Sequence, residues 1–487
     1  MSSLETLKSQ FEFELGNTSD LVSRPFTLQL TETKINGLLF YLDGIVDEGK
    51  IEESIIHCLQ GKHTLNDNPE LLNTLASETL QIKNLKILPL TPFDKVLDDL
   101  LAGNTIIVFD GQKEVISAAT TKLKERAISA PESQRVLRGP HIGFNENLNS
   151  NIALIRGIIK NKYLTFEQHK VGSKTNTNIC LVYLRDQVDP TTLNELQCRL
   201  ENIQIREVFD SNYIEEYIHD DFVTPFPLIL NTDRPDVITA EILNSKIAIL
   251  VDGTAYGLVL PAPLISFIQS PDDYYLKWNF LFNRLLRFCS MILGIYIPGL
   301  YIAFVNFEPG FVPYDLIISL AAQSENKPLP LVIEVLLFTV LLTIIIESAL
   351  RLNKNLVLTV SLFGALIIGQ ASFEAGIVQP ATLIVVSVSY ILGFAVPIQT
   401  METSIRLMRY LLILMSATLG LYGLTLTTII FIVHLSHLRS FGVPYLSPIA
   451  PFNLKDQKDT LIRSALPKIL NTKKELPHEK PFFKKKK

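Results

Sequence analysis

Residues 329–350 read LPLVIEVLLFTVLLTIIIESAL, an apolar stretch with only two ionisable side chains. An α-helix rises about 1.5 Å per residue, so this stretch can cross the roughly 30 Å hydrocarbon core of a bilayer. Similar stretches lie on both sides of it, at 287–308, 356–373, 381–396 and 405–435. The sequence therefore predicts an all-α polytopic bundle of about five transmembrane helices over residues 284–439.

Charge is distributed unevenly along the chain. Residues 1–283 carry 25 Lys/Arg against 38 Asp/Glu, whereas residues 440–487 carry 11 against 4. An acidic front lacks the basic face that neutralises phosphates, so no nucleic-acid partner is expected. The basic tail suits a position beside anionic lipid.

The front of the chain has the pattern of a mixed α and β fold. Three short β-rich runs end in Asp-Gly, at 38–44, 106–111 and 248–253, and this dipeptide favours tight hairpin turns. Helical patterns lie between them at 93–101, 148–159 and 193–200. We expect an α+β soluble region ahead of the bundle.

Two of these runs match each other at a constant offset, which pairs Asp110-Gly111 with Asp252-Gly253. The match predicts two related α/β subdomains divided near Arg138-Gly139-Pro140, and chance similarity of two hairpins is the alternative. The predicted domains are 1–138, 139–283, the bundle 284–439 and a basic tail 440–487.

The placement of Lys and Arg predicts the orientation of the bundle. Basic residues precede the first stretch, follow the second and follow the fourth, which indicates a cytoplasmic amino terminus. Five crossings would export the basic tail, which is hard to translocate. Either the long stretch 405–435 re-enters, or 311–323 makes a further crossing or dip, and we expect a cytoplasmic tail.

Polar side chains inside the apolar stretches are candidates for a pore lining. At about 100° per residue, Thr339, Thr343 and Glu347 fall within about 80° of one another, while Glu334 faces elsewhere. Alternatively, these side chains lie near the ends of the spans, or they form hydrogen bonds between neighbouring helices. The polar-stripe candidates are Thr339, Thr343, Glu347, Thr359, Gln370 and Glu374.

A second stripe consists of small residues, which let another helix approach closely. These helix-packing candidates are Ser416, Gly420, Gly423 and Thr427.

Sequence patterns typical of enzymes do not occur. The chain has no G-x-x-x-x-G-K-[S/T], G-x-S-x-G, H-E-x-x-H or G-x-G-x-x-G. The four cysteines stand apart and form no zinc spacing, so they are expected to be reduced core residues. We expect no catalytic site, no metal and no cofactor.

Several unusual strings occur in collinear order along the chain. They are RGPHIGF with NxxLNSNIALIR (138–156), NTDRPD (231–236), QSPDDYYLKW (269–278), IIGQASFEA (367–375), LGLYG (419–423) and FGVPYLSP (441–448). Together they resemble the A subunit of GerA-type bacterial spore germinant receptors, the GerABKA family. The motif positions taken from this resemblance are Arg138, Gly139, Pro140, Asn231, Asp233, Arg234, Pro235, Asp236, Ser270, Pro271, Asp272 and Asp273.

The resemblance implies a nutrient receptor subunit in the inner membrane of the spore. It implies a transporter-like B subunit and a lipoprotein C subunit as partners, homo-oligomerisation, and an ion pathway supplied by the A subunit. The chain departs from the family at Thr343 and Ile346, where a Glu and an Arg are usual, and at Asn353, where Pro is common.

Two motifs also have plainer explanations. Ser270-Pro271-Asp272-Asp273 has the composition of a capped helix start, and Asp233, Arg234 and Asp236 suit a domain contact or a signalling joint. Two further function classes compete with the receptor subunit. A secondary transporter working alone predicts inverted halves, and a membrane-tethered scaffold predicts spans that only anchor the acidic front.

Overall fold

A computed structural model gives the architecture of the chain. The structure describes residues 3–29, 34–60, 72, 75, 80, 82, 84–122, 131, 134, 136, 138–220, 224–275, 280–324, 327–352, 356–357, 364, 369–452 and 459–460. It contains two antiparallel sheets followed by a helical bundle.

The first sheet has five strands in the order β1-β2-β4-β5-β3. Helices α1 and α2 cover it, and Phe11 stacks on Phe40 at a centroid distance of 4.2 Å. The elements are α1 (Ser3–Glu14), β1 (Leu21–Gln29), β2 (Lys34–Leu42), helical turns Glu48–Lys50, Ile51–Ile56 and His57–Gln60, β3 (Leu85–Pro89), α2 (Phe93–Leu101), β4 (Thr105–Phe109) and β5 (Glu114–Ala118).

The second sheet also has five strands, in the order β6-β7-β9-β10-β8. Buried apolar residues cover both of its faces. The elements are α3 (Leu148–Ile158), β6 (Leu164–Val171), β7 (Thr177–Leu184), α4 (Pro190–Glu201), α5 (Ser211–Ile218), β8 (Leu230–Thr232), α6 (Pro235–Leu243), β9 (Ile247–Val251), β10 (Gly257–Leu260), and short helices Leu264–Ile268 and Asp272–Tyr275.

The two sheets share one topology. In each, the fourth strand in chain order lies between the second and the fifth, and the third strand forms an edge. Asp110-Gly111 and Asp252-Gly253 turn the equivalent hairpins, with glycine φ angles of 80° and 85°. This agreement favours related subdomains over chance similarity, and the predicted α+β class of the front is confirmed.

The first Asp-Gly pair does not form the predicted hairpin. Gly44 has the expected positive φ of 88°, yet β2 pairs with β1 and β4 rather than with a strand that follows directly. After Gly44 the chain leaves the sheet for the helical turns at 48–60. The dipeptide therefore predicted the backbone conformation and not the strand pairing.

From residue 280 to residue 437 the described chain is helical, as predicted. It comprises α7 (Phe280–Asn306), a 3-10 turn (Pro309–Phe311), α8 (Tyr314–Ser324), α9 (Leu331–Leu350), a turn (Ser372–Glu374), α10 (Pro380–Gly393) and α11 (Gln399–His437). Three helices, at 282–306, 331–350 and 399–437, are long and apolar enough to cross a membrane, and α10 is apolar but shorter. Most of the predicted span 356–373 lies outside the described residues.

Helix α11 bends back on itself at Gly420. Ser404 donates to the carbonyl of Pro225 at 2.5 Å, and Thr224 bonds the ring of His434 at 3.0 Å. In a straight helix, residues 404 and 434 would lie about 45 Å apart. Both ends of α11 therefore contact the same loop of the second sheet domain. This is the arrangement expected if the stretch 405–435 re-enters.

The backbone at the bend explains why glycine occupies it. Gly420 has φ 60° and ψ −139°, a conformation that residues with a Cβ avoid. A Cβ there would also lie 2.7 Å from the ring of Phe307. The predicted small-residue stripe is thus not one face of a single straight helix, because Gly420 divides the helix into two arms.

The two arms of α11 run along α7 in opposite directions. On the outgoing arm, Ser416 donates to the carbonyl of Gly299 at 2.5 Å. On the returning arm, Tyr296 donates to Thr428 at 2.9 Å. Ser416, Gly420, Gly423 and Thr427 are all buried, so each helix-packing candidate lies inside this hairpin.

The chain after α11 packs on the second sheet domain. A short hairpin of β11 (Arg439–Ser440) and β12 (Val443–Pro444) follows, and Ser440 Oγ donates to the Leu228 carbonyl at 2.6 Å and accepts from the Ala262 amide at 3.0 Å. Tyr445 is fully buried beside Phe267. The tail predicted from residue 440 therefore begins as part of a folded domain, because its first residues are apolar and its basic residues come later.

Candidate functional site

A polar network joins three helices inside the bundle. Thr343 on α9 lies 2.6 Å from the hydroxyl of Tyr390 on α10 and 2.8 Å from that of Tyr410 on α11. Tyr390 also donates to the backbone carbonyl of Thr339 at 2.7 Å, and Thr339 is fully buried. Two of the polar-stripe candidates thus lie together in the interior.

Arg409 lies at one end of this network and is fully buried. Its guanidinium donates to the carbonyls of Gly294 at 2.8 Å and Ser389 at 3.1 Å, and lies 4.1 Å from the ring centroid of Tyr390. No carboxylate lies within ion-pair distance of it among the described residues, and its Nη1 has no partner there. Arg409 thus connects α7, α10 and α11.

Glu334 lies further along α9 and is also fully buried. Its Oε2 accepts from the Gln379 amide at 3.2 Å and from the Thr382 hydroxyl at 3.1 Å. Because Gln379 is the N-cap residue of α10, the carboxylate lies at the positive end of that helix. Its Oε1 has no hydrogen-bond partner in the described chain.

The other polar-stripe candidates lie on the surface of the described chain. Glu347 is exposed and pairs with Arg351 at 2.8 Å, and Gln370 donates to Glu374 at 2.9 Å with both exposed. Thr359 lies outside the described residues. The predicted face of Thr339, Thr343 and Glu347 does not extend to Glu347, because the buried part of α9 ends at Thr339.

Sequence reasoning missed two members of the interior. Helical periodicity places Glu334 on another face of α9. In the structure, other parts of the chain surround the first nine residues of α9 closely enough to bury both Glu334 and Thr339. Among the basic residues that follow the fourth apolar stretch and were used to predict orientation is Arg409. Its position ten residues into an apolar helix was the signal that it is buried.

A cluster of charged residues joins the sheet domain to α7. Asp273 bonds Arg284 at 3.1 Å and Arg287 at 2.8 Å, and Asp273 and Arg284 are buried. Asp273 also accepts from the Ser270 amide at 3.3 Å, next to the helix Asp272–Tyr275 that follows Pro271. The Asp273 carboxylate therefore accepts a hydrogen bond at the start of this short helix and also binds two arginines of α7.

Residues far along the chain complete the same cluster. Arg284 reaches Asp459 at 3.2 Å and donates to the Thr460 carbonyl at 2.7 Å. Tyr274 donates to Asp459 at 3.0 Å, and burial raises the pKa of its phenol, which keeps the donor protonated. The segment at 459–460 is thereby bound at the start of α7.

The motif NTDRPD is joined to RGPHIGF by one buried arginine. Arg234 binds Asp236 at 2.7 Å and donates to the carbonyls of Gln134 at 3.0 Å and Pro140 at 3.1 Å. The Phe144 amide donates to the Asp233 carbonyl at 2.8 Å. Asn231 lies in β8, Pro235 begins α6, and Arg138 and Gly139 precede the bound Pro140.

Another buried ion pair joins the two sheet domains. Arg156, the last residue of the first motif, donates to Asp20 at 2.7 and 3.0 Å, and both side chains are buried. Its guanidinium also donates to the Leu164 carbonyl at 3.1 Å and lies 4.8 Å from the ring centroid of Phe166. The sequence offered no signal for this pairing across 136 residues.

A polar cleft opens beside the first motif. Its volume is about 1680 Å³, and its walls include several asparagines together with Asp233 and Asp252. The asparagines are Asn145, Asn147, Asn149, Asn176 and Asn178. In the described chain, no group of three His, Cys, Asp or Glu residues is arranged to hold a metal ion.

Comparison with known families identifies the chain. The family model of the Bacillus/Clostridium GerA spore germination protein matches residues 8–475. The chain belongs to this family. The GerA-type resemblance inferred from the motifs is thereby confirmed.

Two spore germination proteins of Bacillus subtilis (strain 168) are similar over most of the chain. Spore germination protein KA is 38% identical over 451 residues, which covers 92% of this chain and 82% of that protein. Spore germination protein A1 is 34% identical and covers 88% of each.

One solved structure is also similar to this GerA family chain. It is the crystal structure of the N-terminal domain of the A subunit of the Bacillus megaterium spore germinant receptor GerK3. It matches with a TM-score of 0.42 and 30% identity, and covers 54% of this chain and 96% of that one.

Proposed function

We propose that the chain is the membrane A subunit of a nutrient germinant receptor and acts in the inner membrane of the spore. It works with a transporter-like B subunit and a lipoprotein C subunit, and copies of it associate to form a ligand-gated ion pathway. Membership of the GerA family and similarity to proteins named for spore germination support this role.

The observation that carries the ion pathway is the exposure of polar residues on the bundle. Glu347, Gln370 and Glu374 face outward in the single chain. A charged group in contact with hydrocarbon costs a few kcal/mol, unless it reaches the headgroups, another protein surface or water. A ring of several copies of the chain places these side chains along a shared aqueous path, where they no longer contact hydrocarbon.

The buried network has a different role in this proposal. Thr339, Thr343, Tyr390 and Arg409 bond each other or the backbone directly. Such contacts fix the positions of neighbouring helices. The network therefore holds each protomer in shape, while the exposed residues, with Thr359 as a further candidate, line the path.

The proposed membrane topology places the front region and the tail in the cytoplasm. Arg284 and Arg287 lie at the start of α7 and Arg351 follows α9, which fits the positive-inside rule. The re-entry of α11 makes the number of crossings even. The contact of Asp459 with Arg284 supports a tail that begins on the same side.

The experiment measures ion flux in variants that remove charge but preserve shape. We expect Glu347→Gln and Glu374→Gln to change the rate of germinant-triggered ion release from spores, and to change the selectivity of the purified assembly in a planar bilayer. Glu12→Gln is the control, because Glu12 is a half-buried residue of α1 in the first sheet domain and not part of the bundle. Co-purification with the B and C subunits should be unchanged in all three.

Each outcome separates the function classes. Unchanged flux and selectivity in both bundle variants would remove these residues from the pathway. Function retained after the spans are exchanged for unrelated ones would favour a tethered scaffold. Substrate uptake by the chain alone in vesicles would favour a secondary transporter.

A further inference from the structure

The carboxyl group of Glu334 lies in an oxygen-lined position between three helices. It is fully buried, and one of its oxygens accepts two hydrogen bonds while Oε1 accepts none in the described chain. An oxygen that is both buried and unpartnered loses its hydration without replacement. This arrangement indicates a ligand that Oε1 binds.

The neighbouring side chains present further oxygens. Tyr301 on α7 lies 3.5 Å from Gln379 Oε1 and 3.4 Å from the Thr382 hydroxyl, and Thr382 in turn bonds Glu334. Carboxylate, amide and hydroxyl oxygens are the ligands that hard cations prefer. Three side chains, one from α7 and two from the start of α10, thus supply oxygens close to the buried carboxylate of α9.

Charge balance also points to a cation. No Lys, Arg or His lies within ion-pair distance of Glu334 among the described residues, whereas Glu402, also on a bundle helix, pairs with Arg406 at 2.6 Å. The N-terminus of α10 supplies about half a positive charge. An ionised Glu334 therefore leaves a net negative site in a low-dielectric interior, which is costly unless a further positive charge is present.

We propose that Glu334, with Gln379, Thr382 and Tyr301, binds one monovalent cation of the size of Na⁺ or K⁺. A single carboxylate suits a single charge, because sites for divalent ions usually combine several carboxylates. The site lies within one protomer. It therefore does not depend on an ion pathway between copies, and the cation is a structural component that ties α9 to the start of α10 and to α7.

The test measures cation-dependent stability of the full chain, purified in detergent. We expect the melting temperature to rise by roughly 3 °C when N-methylglucamine chloride is replaced by NaCl or KCl at equal ionic strength. Glu334→Gln keeps the shape of the side chain and should abolish the rise. Asp315→Asn, which neutralises an exposed carboxylate on α8, should retain it.

A direct binding measurement keeps the test decisive if Glu334→Gln does not fold. The wild-type chain should bind one ²²Na⁺ or ⁸⁶Rb⁺ per molecule, displaced by the unlabelled ion, and Thr382→Val should weaken that binding severalfold. Failure to bind either tracer would overturn the proposal. So would a stability that responds to pH and to Glu334→Gln but not to the cation, because the occupant would then be a proton.

Discussion

Replacing Gly420 by alanine tests the bend that divides α11. The backbone there lies in a region open essentially only to glycine, and a residue with a Cβ pays about 1–3 kcal/mol to adopt it. The new Cβ would also lie 2.7–3.1 Å from three atoms of Phe307. Overpacking of this kind costs about 1–3 kcal/mol. The structure therefore predicts a total loss of about 4 kcal/mol.

The two contributions can be separated in a double-mutant cycle. Phe307→Ala removes the ring that the new Cβ would meet, so the double variant should keep only the backbone cost. We expect a coupling free energy of about 1–3 kcal/mol between the two substitutions. Denaturant unfolding of the full chain in detergent measures all four corners of the cycle.

Gly310→Ala is the matched control, because no atom lies within 4 Å of a Cβ built at Gly310. It should change stability by no more than about 0.5 kcal/mol. A loss below about 1 kcal/mol in Gly420→Ala would refute the bend, since a straight helix accepts alanine more readily than glycine.

Three further predictions concern buried polar groups, and the first two are measured as free energies of unfolding of the full chain. Asp20→Asn leaves Arg156 buried without its counter-ion and should cost about 3–5 kcal/mol, and a loss under 1 kcal/mol would contradict the pairing. Thr343→Val removes the hydrogen bonds of Thr343 with two phenols, of which Tyr390 keeps its bond to the Thr339 carbonyl; it should cost about 1–3 kcal/mol, and no loss would contradict the network. Asp459→Asn should speed proteolysis of the tail, because Arg284 loses a buried partner, and an unchanged rate would contradict the attachment.

Much of the fold could be predicted from local signals. Asp-Gly at 110–111 and 252–253 has the backbone conformation that a hairpin turn needs, and the helix predicted at 93–101 has the predicted bounds. Long apolar stretches predict helices because lipid leaves backbone groups no other partner. These features depend on short segments, which is why one sequence was sufficient.

Features that depend on distant contacts could not be predicted in this way. The bend at Gly420 shows only as a glycine in an apolar stretch, which also suits close helix packing. The burial of Glu334 depends on the start of α10 reaching its carboxylate, and helical periodicity describes one helix alone. The pairing of Arg156 with Asp20 requires knowledge of how two domains meet.

In the described chain, α9 differs from α7 and α11 in how it is connected to the second sheet domain. The apolar core on one face of the second sheet includes residues of α7, α11 and the segment before α11, but none of α9. Leu438 and Tyr445 return the chain to the same core, and Phe441 lies in the core on the other face of the sheet. A rotation of the sheet domain is therefore transmitted directly to α7 and to both arms of α11. Within the part of the chain that the structure describes, it reaches α9 through neighbouring helices, by way of Thr343, Glu334 and the packing around them, so these contacts influence how far α9 follows.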